Sequence, residues 1–126
     1  MNIDELTIGQ ARQIAAMLNA SSPPTTKPMI GEYVIVRCRD AGVHAGTLVD
    51  YEGRTVYLKE SRRLWYWVCA ESQHSLSGVA QEGIVHSQSK IPPAVGTIVL
   101  ADACEIIETS EKCRQSIQGA PVYEVD

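Results

Sequence analysis

Apolar residues recur with two different periods along the chain. In "LTIGQARQIAAMLN", Ile8, Ala11, Ala15 and Leu18 fall on one helical face, with Ile14 and Met17 at its edge. Thr7 followed by Gln10 matches a capping box, which sets the helix start near Thr7. From Tyr33 the period drops to two. "YVIVRCR" places Val34, Val36 and Cys38 on one face, and Tyr33, Ile35, Arg37 and Arg39 on the other. "DAG" at 40–42 and "YEGR" at 51–54 are turn sequences, so two further strands are predicted over 43–51 and 55–60, giving an antiparallel meander. "RRLWYWVCA" extends this meander as a fourth strand, with Trp65 and Trp67 on one face and Leu64, Tyr66 and Val68 on the other.

Further on, "SLSGVAQEG" after Ser75 predicts a short helix ended by Gly83. "VHSQSKIPPAVG" reads as a surface loop, and "TIVLADACEIIE" as β-rich chain with a break at Asp102. Thr109 begins a last short helix, "SEKCRQSIQ", which ends at Gly119, and "PVYEVD" is an edge strand or tail. Together these predict an α+β fold: a bent antiparallel meander flanked by short helices. An N-terminal helix (1–20) precedes it on a Pro-rich connector (21–29) containing "SSPPTTKP", and the sheet-and-helix body spans 30–126. With 126 residues, 44% of them apolar, the chain suits one domain.

Charge narrows the function. The net charge of −4, with no basic run at either end, argues against a grip on duplex nucleic acid. Yet Arg37, Arg39, Arg54, Lys59, Arg62 and Arg63 are six of eleven cationic residues and lie in one central stretch suited to a small anion. Cys38, Cys69, Cys104 and Cys113 form no CxxC pair, so each reads as a buried apolar filler rather than a zinc ligand, and no metal or other cofactor is expected. No apolar run approaches the roughly 20 residues needed to span a bilayer, and no leader pattern is present. The expectation is a soluble cytoplasmic protein with reduced thiols and no membrane contact.

His44, His74 and His86 with Asp50, Glu60 and Glu71 are the candidates for acid–base chemistry, but none lies in a catalytic motif. No catalytic residue is assigned, and the histidines read as surface or rim positions. "VIVRCRDAGVHAGTLVDYEGRTVYL" is similar in pattern to the first strands of Sm-like or SH3-like barrels, many of which bind single-stranded RNA on aromatic platforms. A net-negative chain suits a short or cyclic nucleotide better than a strand. "RRLWYW" has the composition for that ligand. Guanidinium groups direct paired hydrogen bonds at phosphate, and flat rings stack purines for about 1–3 kcal/mol per base. Alternate tryptophans in the core and a solvated Arg-Arg pair are the plain structural reading of the same residues.

"IGQARQIAAML", "GEYVIVRCRDAGVHAGTLVDYEG", "RRLWYWVCAESQHSLSGVAQEG" and "EIIETSEKCRQSI", in this order, resemble the first-described family of phage Thoeris anti-defence proteins. The resemblance implies a phage-encoded, non-enzymatic sponge in the host bacterial cytoplasm. It would bind cyclic ADP-ribose isomers made by TIR-domain immune enzymes without cleaving them; some family members also hold cyclic di- or trinucleotides at separate sites. It implies a homodimer and a homohexamer built from dimers, with ligand pockets between subunits. Arg62, Arg63 and Trp65 or Tyr66 would supply cations and a stacking plane, and Ser72, His74 and the "VHSQSK" loop the small polar contacts. The family's ligand contacts from the loop after the middle helix and from the last helix map to His86, Ser87, Lys90, Lys112 and Arg114. The family's loop aromatic has no Phe, Tyr or Trp counterpart in "IVHSQSK", which leaves His86 as the flat side chain there. Arg37, Arg39 and His44 are expected at the surface or an interface.

Overall fold

A computed structural model of the chain describes residues 27–71 and 75–123, so the expected N-terminal helix over 1–20 lies outside the described residues. The elements are β1 (Tyr33–Cys38), β2 (Val43–Glu52), β3 (Thr55–Arg63), α1 (Leu76–Glu82), a 3₁₀ turn (His86–Gln88), β4 (Val95–Leu100), β5 (Ala103–Glu108) and α2 (Glu111–Gln118). The strands form one antiparallel sheet in the order β4-β3-β2-β1-β5. The expected α+β architecture of a sheet with short helices is therefore the one observed. Its registers include Val36 opposite His44, Leu48 opposite Leu58, Val56 opposite Leu100 and Val34 opposite Glu108.

This sheet cannot be flat. Four inter-strand steps of about 4.8 Å would put β4 and β5 roughly 19 Å apart. Only Ala101 and Asp102 join them, a link reaching about 11 Å. The sheet curls, and its backbone closes the end: the Ala103 N–H donates to the Arg54 carbonyl at 2.9 Å and the Arg39 N–H to that of Asp102 at 3.0 Å. Asp102 takes a left-handed φ of 55°, the break expected there. Curvature also enters where β2 and β3 slip register beyond Ala45, and Gly46 is required at that point. A Cβ on Gly46 would lie 3.0 Å from both the Lys59 carbonyl oxygen and the Ser61 Cα.

The curl divides the core. Val34, Val36, Cys38, Leu48, Val56, Leu58 and Leu100 fill its concave side. On the other face Tyr33, Ile35 and Ala45 pack against Val79 and Ala80 of α1 and Cys113 and Ile117 of α2. Both faces of β1 are covered, so the side expected to be mixed is buried up to Arg37, which pairs outside with Glu105 at 2.5 Å. Three cysteines are buried as expected, but Cys104 is exposed on the edge strand β5.

The fourth strand from "RRLWYWVCA" does not form. β3 runs through to Arg63 opposite His44, and the Leu64 N–H donates to the Val43 carbonyl at 2.9 Å. Val43 begins β2, so the chain beyond Leu64 has no residue to pair with and leaves the sheet. Isolated bridges of Tyr66 with Lys90 and Cys69 with Ile84 hold it instead. Among the described residues no helix is long and apolar enough to cross a membrane.

Candidate functional site

The chain that leaves the sheet builds the most distinctive exposed feature. Trp65 is 57% and Tyr66 55% exposed, while Trp67 turns back against the helix-side core. Mutual bonds between Tyr66 and Lys90, N–H to carbonyl at 3.3 and 2.6 Å, fix Lys90 beside them. Its ammonium lies 5.5 Å from the Trp65 ring centroid, 5.8 Å from that of Tyr66 and 5.5 Å from that of Tyr123. Tyr123 is placed by its N–H, which donates to the Ile91 carbonyl at 2.9 Å, and its ring tilts 54° to that of Trp65 at 5.5 Å. Lys90 has no carboxylate partner among the described residues. The result is a solvent-facing platform of three rings around a cation, and Tyr123 is the member that sequence reasoning missed.

Next to it along the chain, the 3₁₀ turn carries His86 and Ser87 into an open hollow of about 640 Å³ against α2, lined also by Glu82, Lys112, Gln115 and Ser116. Local chemistry explains the hollow. The Ser110 hydroxyl caps α2 by accepting from the Cys113 N–H at 3.0 Å. With Cys113 and Ile117 facing the core, Lys112, Gln115 and Ser116 look outward. Ser116 pins the chain after α1, accepting from the Ile84 N–H at 3.0 Å. Gly83 permits this approach at φ 87°, since a Cβ there would lie 2.5 Å from the Ser116 Cβ. His86 donates from Nε2 to the Ser116 carbonyl at 2.7 Å. Lys112 is neutralised by Glu82 at 2.7 Å and Glu71 at 3.6 Å, contacts that raise its pKa, with Glu82 the larger influence. Two carboxylates against one ammonium make this hollow a poor seat for phosphate.

The arginines do not share a crevice. Arg62 is 6% exposed and points inward. Its guanidinium donates to the carbonyls of Ile91 (3.0 Å), Pro92 (3.0 Å), Ile117 (2.9 Å) and Ala120 (2.6 Å). It thus ties β3 to the 91–92 loop and to the carbonyl end of α2, where a cation is favoured. Burial lowers its pKa, an effect Tyr33 opposes. Arg62, expected at a ligand, is therefore a structural cross-brace whose donors are turned to main-chain carbonyls rather than to an open pocket. Arg63 is exposed, donates to the Ala41 carbonyl at 3.2 Å, and opens onto a different, smaller cavity. Arg114 is occupied by Glu111 and Gln118 along α2 and lines a groove with Glu32, Tyr33 and Thr109. Ser72 and His74 lie outside the described residues. His44, expected at the surface or an interface, is buried within the chain at 1% exposure, with Nε2 donating to the Ala41 carbonyl at 2.9 Å.

A curled antiparallel sheet, two capped helices and an exposed platform of rings around an ammonium define a small α+β protein with an exposed aromatic face. Residues 31–117 match the family described as "Domain of unknown function (DUF6948)", and the chain belongs to that family. Neither a curated protein nor a solved structure matches it.

Proposed function

We propose that the protein captures a small adenine-containing phosphoester and returns it unchanged, with cyclic ADP-ribose isomers the leading ligands and cyclic di- or trinucleotides further ones. The observation that carries this reading is Lys90 beside the exposed Trp65, Tyr66 and Tyr123 rings. A purine stacks on the open face of Trp65, and the ammonium, which has no carboxylate partner among the described residues, meets a phosphate. His86 and Ser87, in the turn leading to Lys90, supply polar contacts. The platform is wide open, so a second copy of the chain closing over it would supply the enclosure that tight capture needs. With the resemblance described above, this makes the protein a phage sponge that lowers free immune signal in the host cytoplasm by stoichiometry, without catalysis.

A second reading draws support from the curled meander with its aromatic platform: a barrel-like module stacking successive bases of single-stranded RNA. Incubation with a panel of cyclic nucleotides and with labelled RNA, followed by gel filtration, heat denaturation and chromatography, separates the two. Intact cyclic nucleotide carried through supports the sponge. Cleaved nucleotide makes the protein an enzyme, and retention of RNA alone favours the second reading.

A further inference from the structure

A separate cavity of about 140 Å³ lies between the β2–β3 end of the sheet and the 92–98 segment, lined by His44, Ser61, Arg63, Pro92, Val95 and Ile98 together with Pro93. Three observations mark it as built to receive something. The Ser61 hydroxyl is buried in a residue only 2% exposed and has no hydrogen-bond partner among the described residues. An orphaned buried hydroxyl is costly, and a native structure that keeps one has a reason for it. The Arg63 guanidinium spends one of its five N–H donors, on the Ala41 carbonyl, and the others have no partner among the described residues. Among the described residues no carboxylate lines the cavity, so nothing in its wall competes for the cation. Apart from His44, whose Nε2 is held by the Ala41 carbonyl, the rest of the wall, Pro92, Pro93, Val95 and Ile98, is apolar.

We infer that this cavity is a binding site for a small organic carboxylate of three to four carbons. The two oxygens accept from the Arg63 fork and from the Ser61 hydroxyl, which a turn about χ1 brings from its sealed position to the cavity, and the alkyl body lies against the two prolines, Val95 and Ile98. Guanidinium and carboxylate match as a planar, charge-assisted pair. The size follows from the space: at about 30 Å³ of liquid per water, the cavity takes about five heavy groups, the number in propionate. A bare oxyanion such as phosphate would satisfy the polar side and leave four apolar side chains against a charged sphere. The site is distinct from the ring platform and does not depend on what the platform binds.

The test uses the full chain and three probes at matched ionic strength: propionate, its neutral isostere propionamide, and inorganic phosphate. The imidazole resonances of His44, a wall residue with its Nε2 anchored on Ala41, report occupancy by NMR. Propionate is expected to shift them saturably, with phosphate and propionamide at least about tenfold weaker. Arg63→Gln is expected to weaken propionate by at least about tenfold, and Ser61→Ala by about fivefold. No saturable shift, phosphate binding as tightly as propionate, or an unaffected Arg63→Gln would each overturn the assignment. Were either variant to lose the folded spectrum, the contrast among the three probes on the unaltered protein decides alone.

Discussion

Replacing Arg62 by alanine separates a binding arginine from a bracing one. Five carbonyls accept from its guanidinium, that of the exposed Gln118 only at 3.5 Å, and they do not lose equally. The Ile91 carbonyl keeps the Tyr123 N–H at 2.9 Å, and that of Ile117 keeps the Ala120 N–H at 3.2 Å. The carbonyls of Ala120 and Pro92 have no other donor among the described residues. At about 1–3 kcal/mol for each acceptor stranded in the interior, the two together cost about 2–6 kcal/mol. Pro92 is only half-buried, so water meets part of its loss and about 3 kcal/mol is the expected value. Against a total stability of about 5–15 kcal/mol, that is a large fraction. Arg63→Ala, by contrast, removes one exposed hydrogen bond and is expected to stay within about 0.5 kcal/mol. Urea unfolding followed by tryptophan fluorescence measures both, with comparable slopes confirming a comparable transition. A loss below about 1 kcal/mol for Arg62→Ala, or equal losses for the two variants, would refute the bracing role.

Other outcomes follow from the same structure. Ser61→Ala removes an unpartnered hydroxyl, so without ligand its stability should equal or exceed the wild type by up to about 1 kcal/mol in the same urea experiment. Gly83→Ala should cost more than about 2 kcal/mol, because φ is 87° and the new Cβ would press on Ser116, breaking the link between Ile84 and α2. Burial, with a smaller contribution from Cys69, pushes the Cys113 thiol up to about 12 from an ordinary 9.0. The native state therefore keeps its proton where the unfolded chain has lost it. This stabilising contribution is complete below pH 9 and fades between pH 9 and 12. In a thiol-labelling time course at about pH 8, Cys104 should react first and Cys113 only on unfolding. His44 works in the opposite direction. Burial is the main cause that lowers its pKa from 6.5, so stability is lost as pH falls below 6.5, and His44→Gln should flatten that slope in pH-dependent unfolding.

Local signals carried much of the fold. Both helices begin at serine caps, Ser75 and Ser110, the second one residue past the start expected at Thr109, and end at Gly83 and Gly119, through short-range chemistry that a sequence displays. The two hairpins and the break at Asp102 were legible for the same reason. What escaped is non-local. Nothing in "RRLWYW" records that β2 starts at Val43 and leaves no partner beyond Leu64, so a strand pattern became a loop. Nor does it record that the carbonyl end of α2, far along the chain, draws Arg62 inward. The platform was half legible. Trp65, Tyr66 and Lys90 were singled out and do meet, whereas Tyr123 sits in a tail without periodicity and is placed by a single backbone bond. Lys112 and Arg114 lay where the resemblance put ligand contacts, but their sequence neighbourhood did not reveal acidic partners as distant as Glu71 and Glu82 for Lys112.

The proposed function stands or falls on the ring platform, and calorimetric titration with a cyclic ADP-ribose isomer, comparing the unaltered chain with Trp65→Ala and Lys90→Gln, probes that platform without intermediaries. Saturable binding is expected that falls at least about tenfold in each variant, with the nucleotide recovered intact from the cell. Binding that is absent in the unaltered chain, or unchanged when the indole and the ammonium are removed, would overturn the proposal.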